Sequence, residues 1–299
     1  MIDRRLWSFA LCLLLLSTVS CGGGPSSSGR SEATPAARGG APMRIKVLTY
    51  NIHHGEGTDD RFDLQRIARL VKRTGADLVA MQEVDRRTRR SGGIDQPKQI
   101  ADALGMEYAF AEAIPFQGGQ YGEAVFSRFP FAYPRRVPLP APPDQEARAA
   151  LEVVVQPWGE GRDSVRFIGT HLSHESESTR MHQAAALKTS LESDPVPAIL
   201  VGDFNFVQGS GSYGLILQGW LDTARKHGNA QPTFPSTDPK RRIDFVFARP
   251  KERWRVISAQ VIDEPIISDH CPVLVELELL PLKGDVWGEF PGTGIDSNR

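Results

Sequence analysis

Cysteine is scarce in this chain. Three occur among 299 residues, Cys12, Cys21 and Cys271. The first two fall in an N-terminal segment with export features, which leaves Cys271 alone in the body of the protein. One thiol makes no internal disulfide, so the fold must be held by packing. Cys271 follows His270 directly, and it reads as a buried small residue at the start of a strand rather than as a nucleophile. An excess of charge is missing as well. Lysine and arginine number 35 against 36 aspartates and glutamates, a formal net charge of -1. That excludes a broad basic surface able to coat nucleic acid nonspecifically, and leaves room for a local patch. The apolar N-terminal run from Leu6 to Leu16 is too short for a spanning helix, which needs about 20 residues.

What that run offers instead is an export signal. Arg4 and Arg5 precede it and small residues lead on to Cys21, the layout of a signal peptide over residues 1–21. Thr18-Val19-Ser20-Cys21, followed by three glycines, resembles a bacterial lipobox, with Thr18 where the pattern favours Leu. The expectation is lipidation at Cys21 and a membrane-anchored lipoprotein of the cell envelope. The alternative is ordinary secretion or a periplasmic protein. Residues 22–42 are rich in Gly, Ser, Pro and Ala and read as a flexible tether. Residues 43–282 read as one domain, and residues 283–299 as a polar tail. A hydrophobic content of 40% suits a globular core.

Within that domain strand and helix signals alternate. Strands are expected at Ile45 to Tyr50, Asp77 to Met81, Glu123 to Phe126, Ala149 to Val155, Val165 to Gly169 and Ala198 to Val201. Three more follow at Ile243 to Ala248, Val256 to Ile262 and Pro272 to Leu279. Leu64, Ile67, Leu70 and Val71 recur at helical spacing and Gly75 follows as a stop. Gln99 to Leu104 and Glu177 to Leu191 read as further helices, the latter with Met181, Ala184, Ala185 and Leu187 on one face. The pattern predicts an α/β sandwich of two sheets with helices outside. Asn51, Glu83, His171 and Asp203 close their strands, whereas Asp244, Asp269 and His270 open theirs. If the second group runs antiparallel to the first, all seven collect on one edge.

These residues belong to a series of polar motifs at strand ends. They are Leu48-Thr49-Tyr50-Asn51-Ile52, Met81-Gln82-Glu83-Val84, Gly169-Thr170-His171-Leu172, Gly202-Asp203-Phe204-Asn205, Arg242-Ile243-Asp244-Phe245 and Ser268-Asp269-His270-Cys271-Pro272-Val273. In order and spacing the series resembles the endonuclease/exonuclease/phosphatase superfamily, over roughly Met43 to Leu280. The resemblance implies a DNase I-like four-layer α/β/β/α sandwich with two mixed, mainly antiparallel sheets. It also implies a divalent-metal-dependent hydrolase of phosphoester bonds. Glu83 and Asn51, with Asp269 directly or through water, would hold Mg²⁺, with Mn²⁺ as a substitute. His270 would act as general base or support the phosphoryl charge, its tautomer set by Asp244. Asp203 and Asn205 would orient the nucleophile, and His171 would hydrogen-bond a non-bridging oxygen.

Glu123 departs from the pattern, since many relatives carry an amide there, and a carboxylate near phosphate either repels it or adds a metal ligand. The neighbouring arginines Arg86, Arg87, Arg89 and Arg90 form either a solvated face or an anion-holding loop at the mouth of the site. Three substrate classes fit: nucleic acid, a phospholipid headgroup and a small phosphorylated molecule. The chain is expected to act as a monomer. The alternative is a catalytically silent binding or scaffold protein at the envelope.

Overall fold

The computed structural model describes residues 42–282. The expected export signal with Cys21, the expected tether and the expected tail lie outside the described residues.

The chain opens with β1 (Met43–Asn51), α1 (Leu64–Thr74), β2 (Leu78–Arg86) and α2 (Gln96–Leu104), then the hairpin β3 (Glu107–Phe116) and β4 (Gly119–Ser127). Next come β5 (Phe131–Leu139), β6 (Arg148–Val155), β7 (Val165–His171), α3 (Glu177–Glu192) and β8 (Ala198–Asp203). Then follow α4 (Gly211–Leu217), the two-residue β9 (Leu221–Asp222) and α5 (Thr223–His227). The last strands are β10 (Asp244–Arg249), β11 (Trp254–Val261) and β12 (Val273–Leu279). Local chemistry explains the helix bounds. Asp63 caps α1 by accepting from the backbone N–H groups of Gln65 and Arg66 at 2.8 and 3.1 Å. Gly75 ends that helix in the left-handed region that glycine enters without steric cost.

One sheet runs β11-β12-β1-β2-β4-β3 and the other β5-β6-β7-β8-β10-β9. Each is antiparallel apart from one parallel pair, β1 with β2 and β7 with β8. Burial divides the apolar side chains into three clusters. Ile45, Val47, Leu78, Val125, Phe167, Val201 and Val246 fill the space between the sheets. Leu48, Val79 and Phe126 face the other way, onto Ile67, Leu70 and Ile100 of α1 and α2. Ile168, Leu200 and Phe247 pack on Ala184, Leu187 and Ile216 of α3 and α4. The result is four layers: helices, sheet, sheet, helices.

The strand period of two then sets the position of the site. Ile45 and Val47 lie in the inter-sheet core, and the same face continues through Thr49 to Asn51. Ile199 and Val201 lead likewise to Asp203, Ala248 and Val246 to Asp244, and Val125 to Glu123. The inter-sheet layer is thus apolar through the molecule and turns polar at one edge. Strands running toward that edge end in Asn51, His171 and Asp203, while the antiparallel β10 and β12 start there.

Elements absent from the sequence reading are β3, β5, β9 and the short helices α4 and α5. β3 and β5 are sheet edges. Along β3 small alanines alternate with half-exposed residues, and β5 contains Pro134 and Pro138, which edge strands tolerate. Neither gives a strong apolar run. On α3, Ala185 is exposed and Gln183 takes its place in the interior, its Oε1 accepting from the Ser173 N–H at 2.8 Å.

Candidate active site

Asn51 is the hub of the polar edge. Fully buried at the end of β1, it donates from Nδ2 to Glu83 Oε1 (2.9 Å) and to Asp203 Oδ2 (3.2 Å), with His270 Nε2 3.4 Å away. Its Oδ1 accepts from the His53 N–H at 3.1 Å, which fixes the amide. Ser268 Oγ donates to the Asn51 carbonyl (2.7 Å), tying the segment before β12 to β1.

Glu83 reaches this hub through a distortion of β2. Val79, Met81 and Val84 all face the helices, so a regular strand would alternate out of step across Gln82 and Glu83. The register shifts between Met81 and Val84, and Glu83 has φ +60°. The extra residue turns its carboxylate away from the helix layer and toward the site, the usual effect of a bulge.

From the other sheet, Asp203 stands opposite Asp244 in the β8–β10 ladder and opposite His171 in the β7–β8 pair. Both acids are buried. His270 Nδ1 lies 3.0 Å from Asp244 Oδ2, and its Nε2 lies 3.6 Å from Asp203 Oδ2. Burial by itself would lower the imidazole, but Asp244 and Asp203 outweigh it and hold His270 up to about 10. Burial, with Asp244 beside it, raises Asp203 above the ordinary carboxylate range against the pull of His270. Phe234 packs its ring on the imidazole, with centroids 4.8 Å apart. Asn205 has φ +51° and donates its backbone N–H to Asp203 Oδ1 at 2.9 Å.

His171 is oriented by a residue that motif reading passed over. The buried Arg148, first residue of β6, donates from Nη1 to His171 Nδ1 (2.9 Å) and from Nη2 to His174 Nδ1 (3.1 Å). Because a guanidinium only donates, His171 Nδ1 must accept, and the ring proton sits on Nε2. That nitrogen faces Asp203 Oδ2 at 3.4 Å and the Asn205 amide at 3.1 Å. Burial, then Arg148, keeps the His171 pKa well below the usual histidine value. The signal for Arg148 was present: a charge opens an apolar strand that starts at the same edge where the adjacent antiparallel strand ends.

Six of the expected residues, Asn51, Glu83, His171, Asp203, Asn205 and His270, thus form one network, with Asp244 behind His270. Asp269 adjoins it, half-buried, with Ser268 Oγ 3.4 Å from its Oδ1. Of the four arginines only Arg90 turns to the site's flank, held by two bonds to Asp85 (2.7 and 2.8 Å). Arg86 and Arg87 lie 3.9 and 3.5 Å from Asp95, and Arg86 stacks over Phe110. Arg89 N–H bonds the Gln117 carbonyl. Glu123 lies in the interior behind Glu83 with neither oxygen hydrogen-bonded.

The donor set fits a divalent cation of the hard kind. Glu83, Asp203, Asp244 and Asp269 crowd one edge, and Asp244 Oδ1 is buried without a partner. Asp203, Asp244 and His270 place ligand atoms within 4.8 Å of one another. A proton already bridges His270 and Asp244, however, so the Glu83 carboxylate is the better cation ligand.

Comparison with known proteins agrees with this architecture. Residues 48–270 match the Endonuclease/Exonuclease/phosphatase family. The uncharacterized protein YbhP of Escherichia coli K12 is 26% identical over 247 residues, covering 79% of this chain and 96% of that protein. A crystal structure of an endonuclease/exonuclease/phosphatase from Beutenbergia cavernae superposes with a TM-score of 0.68 at 27% identity, over 80% of this chain and 72% of that one. The fold is also that of a mannosyl-6-phosphatase from Bacteroides thetaiotaomicron, with a TM-score of 0.64 at 23% identity, over 78% of this chain and 99% of that one. With a match spanning most of the described residues and a two-sheet edge built from its motifs, the chain belongs to the endonuclease/exonuclease/phosphatase family.

Proposed function

We propose that this protein is a divalent-metal-dependent hydrolase of phosphoester bonds. The observation that carries the reading is the shared network of Asn51, Glu83, Asp203 and His270, drawn from both sheets and backed by Asp244. Glu83 and Asn51, with Asp269 alongside, would hold Mg²⁺ or Mn²⁺. When bound, the cation supplies Lewis-acid charge at a phosphoryl oxygen. Asn51 as oriented presents its amide hydrogens to the carboxylates, so Glu83 is the anionic ligand on which occupancy depends.

The protein's own groups divide the remaining work. With Asp244 and Asp203 keeping it charged, His270 is a poor proton acceptor near neutral pH. Of the two roles expected of it, support of the phosphoryl charge through Nε2–H suits this protonation. Asp203 has the raised pKa that a base near neutral pH requires, and two donors fix its oxygens, Asn205 N–H on Oδ1 and the Asn51 amide on Oδ2. It accepts the proton of the attacking water. Neutral His171 offers Nε2–H to a non-bridging oxygen, with the Asn205 amide beside it. A silent scaffold would be expected to have lost one of these partners, and all are in place.

A panel of phosphoesters assayed with Mg²⁺, Mn²⁺ and Ca²⁺ tests the reading. Glu83→Ala is expected to lower turnover on the order of 100-fold or more and to weaken Mg²⁺ binding in calorimetry, with an unchanged circular dichroism spectrum. Equal turnover and equal metal affinity in the variant would remove Glu83 from the site and the proposal with it.

A further inference from the structure

A cavity of about 240 Å³ opens beside the Glu83 carboxylate. One wall is apolar, made by Ile114 and Phe116 of β3 and Tyr121 of β4; the other is polar, made by Glu146, Arg148 and His174. Arg90 closes one side. The volume is below the roughly 300–1,000 Å³ typical of sites for drug-sized ligands, so it suits a single small ring or chain.

Its charges are already spoken for. Arg90 gives two donors to Asp85 and lies over the rings of Phe116 and Tyr121, 4.6 and 5.6 Å from their centroids. Arg148 gives its Nη donors to two histidines and pairs with Glu146 at 3.0 Å. Each guanidinium is thus neutralised by a carboxylate, Asp85 for Arg90 and Glu146 for Arg148, which leaves this wall without the net positive charge that grips a phosphate. Glu146 is about one-third exposed and adds negative charge at the wall. A second phosphate or a nucleic acid backbone would meet a carboxylate there and only ion-paired cations among the cavity's residues. Hydroxyl groups suit it better: Glu146 accepts from them, while Phe116 and Tyr121 cover the C–H face of a ring.

We infer that this cavity receives the neutral, polyhydroxylated part of a phosphomonoester, which makes the substrate a phosphorylated sugar or polyol. The inference rests on the phosphoester-hydrolase reading and specifies its substrate. In the reaction the water oxygen forms a new bond to phosphorus and the phosphorus–oxygen bond to the sugar breaks. One water proton passes to Asp203, a proton returns to the departing sugar oxygen, and the products are inorganic phosphate and the free polyol.

The test uses the full chain with Mg²⁺ and compares kcat/KM for hexose monophosphates, an inositol monophosphate, a hexose bisphosphate and a single-stranded oligonucleotide. Wild type is expected to favour one of the monophosphates over the bisphosphate and the oligonucleotide by about tenfold or more. The hexose and inositol arms separate an open-chain-derived sugar from a cyclitol. Glu146→Lys is expected to narrow or invert the preference over the bisphosphate, and Phe116→Ala to raise KM for the monophosphate more than it lowers kcat. Glu146→Gln, which keeps the side-chain shape, covers the case in which the lysine variant does not fold. Hydrolysis that favours the oligonucleotide or bisphosphate, or a preference unmoved by these variants, overturns the inference and leaves the hydrolase reading intact. If no phosphoester is cleaved with any metal, the hydrolase reading fails. Saturation-transfer NMR with the free sugar then decides the cavity: binding lost in Phe116→Ala upholds it, and no binding in wild type overturns it.

Discussion

Glu123 buries a carboxylate with both oxygens lacking a hydrogen bond, in a protein whose other site acids are each held by at least one donor. Burial pushes its pKa well above the usual 4.5, so the folded protein keeps the proton. The unfolded chain releases that proton once pH exceeds about 4.5. Above this pH the native state binds more protons than the unfolded state, and stability falls as pH rises toward the folded pKa. Glu123→Gln removes the titration. In metal-free buffer its melting temperature is expected to pull ahead of wild type steadily from pH 5 to pH 8. The gap widens by about 1.4 kcal/mol per pH unit while the folded protein keeps the proton, and about 1 kcal/mol moves the midpoint by about 2–4 °C in a domain of this size. A gap that stays constant across the range would mean that Glu123 ionises freely. At this scale the sequence was legible wherever an acid, amide or imidazole ended or opened an apolar run, as at Asn51, Asp203 and His270. Arg148 left only a positional signal, a charge opening an apolar strand, and Glu146 left none, because such residues look like any solvated pair until the fold places the neighbouring strand end. The role of Arg148 comes from meeting His171 and His174, which are distant in sequence, and that of Glu146 from its pairing with Arg148.

At the scale of elements, two backbone devices place the site. The bulge in β2 aims Glu83, and Gly202 allows β7 and β8 to approach beneath His171 and Asp203. A Cβ at Gly202 would sit 1.8 Å from the Thr170 carbonyl oxygen, and the residue has φ +151°. Relief requires the two parallel strands to part where their last residues, His171 and Asp203, carry side chains of the candidate site. Gly202→Ala is therefore expected to lower unfolding stability by about 3 kcal/mol or more, read from urea midpoints. The surviving folded fraction should also lose turnover. A change within about 0.5 kcal/mol would show that the β7–β8 spacing is soft and that Gly202 is incidental. Central strands such as Ala198–Asp203 announced themselves as unbroken apolar runs, since both faces are covered. Edge strands did not: β5 spends two of its nine positions on proline and exposes most of the rest. The bulge at Glu83 was also invisible, because it shows only as a phase change between Met81 and Val84 once helix contacts are known.

For the whole molecule, the site exists only where the two sheets meet. Asn51 to Asp203 and His270 to Asp244 are both bonds between sheets, so packing of the inter-sheet core and assembly of the candidate site are one event. The expectation for where the protein works rests on a different part of the chain, outside the described residues. Among the described residues no helix is long and apolar enough to cross a membrane. The sequence around Cys21 carries the lipobox-like signature, and we propose that acylation there anchors the protein at the cell envelope. Each buried methylene contributes about 0.8 kcal/mol, and two or more chains together give stable attachment. Wild type is accordingly expected in the membrane fraction, released by detergent and retained after a high-salt wash, because the attachment is apolar rather than ionic. Cys21→Ala should shift it to the soluble fraction with kcat on a soluble phosphoester unaltered, since Cys21 precedes the folded domain. Wild-type protein found soluble in the periplasm or medium, or a variant that stays with the membrane, would refute acylation at Cys21 as the anchor.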